Sequence, residues 1–436
     1  MPTVMQESPE HGLRHQLTAG QMTMVAVGGS IGTGLLLGSA AAIGVAGPAV
    51  ILTFVFAAFV SWTVTVALGD LASRHPAAGS FRLYGELYLN EWAGFLSGAG
   101  YWAAIAISIG AEMVASATYM AYWFPSVPAI AWVVIASVLL LGVNLLAVGD
   151  YGRFEYWFAM IKVVVIIAFI VLGAALLLTG GVAPQYVARG GFFPRGALAP
   201  LLALPFALYT FAGVEFVAVT SGESRSVADI SRATRMTFVT LTVVYLGAIV
   251  VLTGIIPWDR TGVSESPFVT VFRRVNIPAA GHLMNFAVLT AALSGANAAL
   301  YSASRTLFSL ARHGWAPPRL GFLNRAGSPT YAVLVSSTPI ILALVLERWA
   351  PEAAFVSILN AALFGLLLSW LVTLAAHVKS RGGARAAIGS AIGFVLIVLC
   401  IGKTWWDSPL SLWSGLGYLL ILNVVYLALR KVAKGA

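Results

Sequence analysis

Long apolar runs alternate with short polar joints along this chain. The runs lie at about 18–43, 47–72, 93–123, 129–148, 156–180, 197–221, 236–257, 283–311, 331–348, 353–377, 387–402 and 411–429. Each is close to the roughly 20 residues that an α-helix needs to cross a bilayer, although the eleventh is short. The pattern predicts twelve transmembrane helices. The first run has no charged side chain between residues 18 and 43, yet it reads Val27-Gly28-Gly29-Ser30-Ile31-Gly32-Thr33-Gly34-Leu35-Leu36. Lipid offers bare N–H and C=O groups no partners, so a break inside the membrane must be met by protein or a water-filled cavity. Four glycines in seven residues predict such a break.

The sixth run is interrupted at Phe211-Ala212-Gly213-Val214-Glu215. Five helices occupy 18–180 and five more 197–377, so each half opens with a broken helix. An odd number of helices per half makes the halves enter the membrane in opposite senses. Broken helices at matching positions of two such halves point to an inverted-repeat transporter with its site near the midplane. Two further helices, 387–429, stand outside the repeat, and polar ends occupy 1–17 and 430–436.

Composition agrees with a membrane solvent. The chain is 59% hydrophobic and 9% charged, with mean hydropathy +0.90, outside the range of soluble domains. The first 17 residues lack the charged–apolar–cleavage pattern of a signal peptide, which keeps the N-terminus cytoplasmic; an even helix count then keeps the C-terminus there too. So assigned, seventeen of the 25 Lys and Arg face the cytoplasm and seven face outward, in accord with the positive-inside rule. The net charge of +9 reflects this topology and anionic lipid, with basic residues too scattered for nucleic-acid binding. A single cysteine, Cys400, excludes an intramolecular disulfide.

Three ionisable residues lie well inside spans, where each is a functional candidate by default. Lys162 is placed either to snorkel to the cytoplasmic interface or to lie buried near the broken first helix. Buried there, it would release a proton readily, because desolvation disfavours its charge. Glu215 directly follows the second break, where it either caps exposed N–H groups or takes up a proton. Glu112 either lines an outward vestibule or pairs with a polar neighbour. No nucleophile–base or metal-ligand pattern accompanies them, since the six histidines fall at loops or helix ends. The glycine run lacks the Gly-Lys-Ser/Thr ending of a phosphate-binding loop. An enzyme is not expected, and neither is a metal or an organic cofactor.

The chain resembles the bacterial amino acid permeases of the amino acid–polyamine–organocation superfamily. The likeness is carried by Val27 to Leu35, Ala78-Gly79-Ser80-Phe81 with Tyr84, and Ala111-Glu112. It continues in Phe158-Ala159-Met160-Ile161-Lys162-Val163, Phe211 to Glu215 and Tyr301-Ser302-Ala303-Ser304-Arg305. It extends over about 13–380. The loop after the sixth helix departs from the family's Gly-Glu, Asn-Pro, Ile-Pro pattern, reading Gly222-Glu223-Ser224-Arg225-Ser226 without either proline.

The resemblance implies an all-α membrane protein of the leucine-transporter fold, with a 5+5 inverted repeat and two C-terminal helices. It implies a substrate held between the broken helices. Backbone N–H groups of Gly32, Thr33 and Gly34 would take an α-carboxylate at a half-helix N-terminus. Carbonyls of Ser30, Tyr209 and Ala212 would face the α-ammonium. Tyr209 or Phe211 would serve as aromatic gate, and Lys162, then Glu215, as carriers of the coupling proton. The expected walls offer Gly110, Phe206, Phe211, Asn297 and Asn360, which favour a neutral amino acid. The function implied is secondary active transport by alternating access across the bacterial inner membrane, with a free amino acid, protons and lipids as partners. Obligatory exchange and a non-transporting sensor are the alternatives. Oligomeric state is left open.

Overall fold

The computed structural model describes residues 17–77, 80–146, 151–274, 278–324, 327–380, 384–407 and 409–435. Ala78, Gly79 and the segment before Leu17 lie outside the described residues. Helix dominates, and no strand occurs among the described residues. The first apolar run forms α1 (Ala19–Ser30), α2 (Thr33–Leu36) and α3 (Gly38–Ala46), and the second forms α4 (Val50–Arg74). Next come α5 (Ser80–Tyr88), α6 (Glu91–Ala121), α7 (Ala129–Leu146) and α8 (Tyr151–Leu178). The sixth run is split into α9 (Ala199–Leu202), α10 (Leu204–Thr210) and α11 (Phe216–Val219), followed by α12 (Val227–Ile255). The remainder comprises α13 (Pro267–Arg274), α14 (Pro278–Arg312), α15 (Thr330–Ser337), α16 (Ile340–Trp349), α17 (Pro351–Lys379), α18 (Ala384–Asp407) and α19 (Pro409–Gly435).

Helix thus runs through each apolar run. Among the described residues seven helical stretches are long and apolar enough to cross a bilayer by themselves. The break leaves α1 and α2 of the first run too short to count, while α3 continues into α4 as one stretch, and the pieces of the sixth run are all too short. The ninth run bends between α15 and α16 at Pro339, where proline lacks the N–H that would continue the ladder. This is a multi-span helical membrane protein.

Local chemistry sets the ends. Thr18 and Gln21 close a reciprocal capping box on α1, satisfying two of its orphan N–H groups. Asn90 caps α6 by accepting from Ala93 N–H at 2.8 Å. Ser226 caps α12, accepting from Asp229 N–H at 3.1 Å. That cap starts α12 nine residues before the apolar run begins at 236, so most of the supposed loop is helix. Hydropathy cannot see a polar helical extension; a capping residue can.

The N-terminal end of α1 is tied to the turn after α11. Leu17 N–H donates to Glu223 O at 2.9 Å and Arg225 N–H to Leu17 O at 3.0 Å, an isolated parallel bridge. Ala19 N–H reaches Asp229 Oδ1 at 3.2 Å. Tyr301 O–H donates to Glu223 Oε1 at 3.0 Å, and the Arg305 guanidinium lies 4.0 Å over the Tyr301 ring.

Candidate functional site

The break in the first run falls at Ile31 and Gly32. The backbone groups freed around it take side-chain partners from distant parts of the chain. Gly28 O accepts from Lys162 Nζ at 2.7 Å. Ser30 O accepts from the Tyr245 hydroxyl of α12 at 2.8 Å and from Gly32 N–H at 3.0 Å. Thr33 N–H donates to the Glu112 carboxylate of α6, 3.2 Å from Oε1 and 3.3 Å from Oε2. Gly34 O accepts from Thr210 Oγ1 at 3.0 Å, and Leu36 O from Ser266 Oγ at 2.8 Å. A broken helix in a lipid-facing protein survives only with such substitutes.

The second break lies between α10 and α11. Gly213 has φ +105°, a region that an L side chain avoids. Its N–H donates to Glu215 Oε2 at 3.0 Å, so this carboxylate caps the unwound turn, with the Trp370 indole against it. The two breaks touch: a Cβ on Gly213 would lie 2.8 Å from Ser30 Cα. A Cβ on Gly34 would likewise lie 3.0 Å from Thr210 Cα. Gly213→Ala is expected to cost more than about 1 kcal/mol in stability, because positive φ and the Ser30 contact both oppose a methyl. A thermal melt in detergent checks it, and an unchanged melting temperature would refute this account of the break.

A pocket opens where the breaks meet. Of the residues expected to hold substrate, Ser30, Gly32, Gly34, Tyr209 and Ala212 line it. Thr33 does not, although its N–H donates to the lining residue Glu112. Phe211 does not either: its ring is wholly buried edge-on to Tyr245, at 5.0 Å between centroids, so Tyr209 alone of the two faces the cavity. Lys162 is buried rather than snorkelling, bonded to α1 at Gly28 and outside the pocket lining. Glu215 is buried at the second break, also outside the lining. Glu112 stands in the pocket itself, wedged so closely that a Cβ on Gly32 would collide with its carboxylate.

The expected walls are the correct helices presenting the wrong faces. α6, α14 and α17 line the pocket through Ser108 and Ile105, Gly295 and Ala299, and Ala362 and Leu366. Gly110 instead packs on Ala343, and Asn297 accepts from Asn144 Nδ2 at 2.8 Å; neither they nor Phe206 and Asn360 line the pocket. Phe216, from the first turn of α11, is a lining residue that the sequence pattern did not single out. Tyr245 was missed as well; its hydroxyl shares α12 with those of Thr237, Thr240, Thr242 and Thr253, so nothing local set it apart.

Likeness to known proteins accords with this geometry. The profile of the family described as amino acid permease matches residues 21–387. The uncharacterized amino acid permease YtnA of Bacillus subtilis is 37% identical over 377 residues, covering 85% of this chain and 81% of the relative. The aromatic amino acid transport protein AroP of Salmonella typhimurium is 33% identical over 452 aligned residues, covering 99% of both chains. The gamma-aminobutyric acid permease of Bacillus subtilis is 35% identical over 381 residues, covering 85% and 81%. With two broken helices crossing at a buried pocket and a profile match across most of its length, the chain belongs to the amino acid permease family and is a permease, not an enzyme.

Proposed function

We propose that this protein carries a neutral α-amino acid across the bacterial inner membrane by alternating access, driven inward by protons. The observation that carries the reading is the contact of two helix breaks at Ser30 and Gly213 beside a pocket. A half-helix N-terminus at Thr33 offers N–H groups to a carboxylate. The carbonyls of Ser30, Tyr209 and Ala212 lie where an α-ammonium would find acceptors. Ser30 O already accepts from Tyr245, and Tyr209 O from Ala212 N–H. The ammonium would displace these donors or share the carbonyls with them. The pocket is small, and besides Glu112 its polar side chains, Ser30, Ser108 and Tyr209, are uncharged, which suits a neutral substrate.

Glu112 holds the Thr33 N–H that a substrate carboxylate would need. Two anions cannot share one half-helix end, so substrate entry requires Glu112 to turn away or take up a proton. Lys162, hydrogen-bonded to the carbonyl of Gly28 on the same helix, is the proposed principal proton carrier, with Glu215 second. The proposed frame is a 5+5 inverted repeat, 18–180 and 197–377, with 387–429 as two extra helices and both termini cytoplasmic. The positive-inside charge bias and the matched positions of the breaks support it.

Uptake of a panel of labelled amino acids into proteoliposomes, with a pH gradient imposed or collapsed, tests the reading. Gradient-dependent accumulation of a neutral amino acid is the expected result. Flux only into vesicles preloaded with amino acid would make the protein an exchanger. Binding without flux would make it a sensor.

A further inference from the structure

A second cavity lies far from the helix breaks, at one end of the bundle. Its volume of about 790 Å³ falls within the roughly 300–1,000 Å³ of small-molecule sites. Its walls come from the N-terminal end of α6, the C-terminal ends of α14 and α19, the turn after α14, and α15. The lining is hydrocarbon and aromatic ring. Two lining polar groups are tied up elsewhere: the Tyr418 hydroxyl donates to Gly100 O at 2.7 Å, and the Trp102 indole N–H to Ser336 Oγ at 3.0 Å. Trp315 and Tyr426 stack at 5.3 Å and close one wall.

Three exposed arginines gather at one end of this groove. Arg319 lines it directly. The Arg312 side chain packs against the same turn, 3.2 Å from where a Cβ on Gly321 would lie. Arg430 lies 6.0 Å over the Tyr426 ring. Among the described residues none of the three forms a salt bridge with a carboxylate. A dry groove with unneutralised cations at its mouth matches an amphiphile with an apolar tail and an anionic head.

We propose that the groove binds one anionic phospholipid of the bilayer, its acyl chain along Trp102, Leu334 and Leu422 and its phosphate among Arg312, Arg319 and Arg430. Basic pockets between membrane helices select anionic headgroups in this way. On the topology proposed above, this is the cytoplasmic leaflet. Charge complementarity favours this occupant over a second copy of the chain, whose matching surface would bring the same arginines together.

The test reconstitutes the full chain in phosphatidylcholine vesicles containing a trace of phosphatidylglycerol with a photoactivatable acyl chain. Labelled peptides are then mapped by mass spectrometry. Groove peptides of α6, α15 and α19 are expected to label about tenfold more strongly than with the matching phosphatidylcholine probe, and unlabelled phosphatidylglycerol should compete. Labelling should fall by a similar factor in Arg312→Gln/Arg319→Gln/Arg430→Gln. It should fall also in Leu422→Trp, which fills the groove and keeps the charges. Equal labelling by the two headgroups would reduce the groove to ordinary lipid solvation and overturn the proposal. Cross-links between chains across α19 in place of lipid labelling would assign it to a second copy. The headgroup comparison is made on the parent protein, so a misfolded arginine variant does not touch its outcome. Amino acid uptake is not the readout, so failure of the transport reading and failure of this one are distinguishable.

Discussion

Lys162→Ala is expected to abolish gradient-driven accumulation of the amino acid while leaving exchange between the two faces measurable. The Lys162 ammonium is buried and holds Gly28 O at 2.7 Å, shortly before the break that ends α1. A charge at that depth costs about 3 kcal/mol or more unless it is compensated. Gaining and losing a proton there therefore changes what α1 packs against. Without the amine, substrate can still bind and cross, but nothing links its movement to a proton, and the accumulation ratio falls to one. Part of any loss will be structural, because a buried carbonyl left without its donor costs about 1–3 kcal/mol. Counterflow separates the two effects: a merely unstable variant loses both activities, whereas an uncoupled one keeps counterflow. Full accumulation by the alanine variant would falsify the coupling role.

Glu112→Gln is expected to tighten equilibrium binding of the amino acid at neutral pH by about tenfold, while proton-driven uptake falls. The carboxylate now bonded to Thr33 N–H competes with the substrate's own carboxylate for one half-helix end. An anion at such an end is stabilised by about 0.3–2 kcal/mol, and relieving the competition returns a gain of that size. In the parent protein, acidification neutralises the competitor, so binding strengthens as pH falls. In the glutamine variant the dependence should flatten. Calorimetric titration at several pH values reads both quantities. Unchanged affinity with unchanged pH dependence would mean that substrate binds without disturbing Glu112.

What could be read from residues alone was set by how much each one violates its surroundings. Glycines crowded into a charge-free apolar run announced the first break, and it lies at Ile31–Gly32. Lys162 stood out because no neighbour in its run shares its charge, and it is buried. The pocket faces were another matter. A helix buried on nearly all sides, such as α6, has no apolar stripe to fix its rotation. Choosing Gly110 over Ser108 and Glu112 was therefore a choice between faces that look alike in sequence. Asn297 looked like a wall residue until α7 supplied Asn144 as its partner. Such pairings join residues far apart in the chain, and no local pattern reports them.

The small bridge at Leu17 bears on how tightly flux and driving force are held together. If that face opens, as the proposed alternating access requires, Leu17 would part from Glu223 and Arg225, Ala19 from Asp229, and Tyr301 from Glu223. Four such bonds at about 1 kcal/mol each would disfavour the opened form by a factor on the order of a thousand. An empty carrier so rarely open on that side admits little slip, and a steep gradient can stand across it without draining.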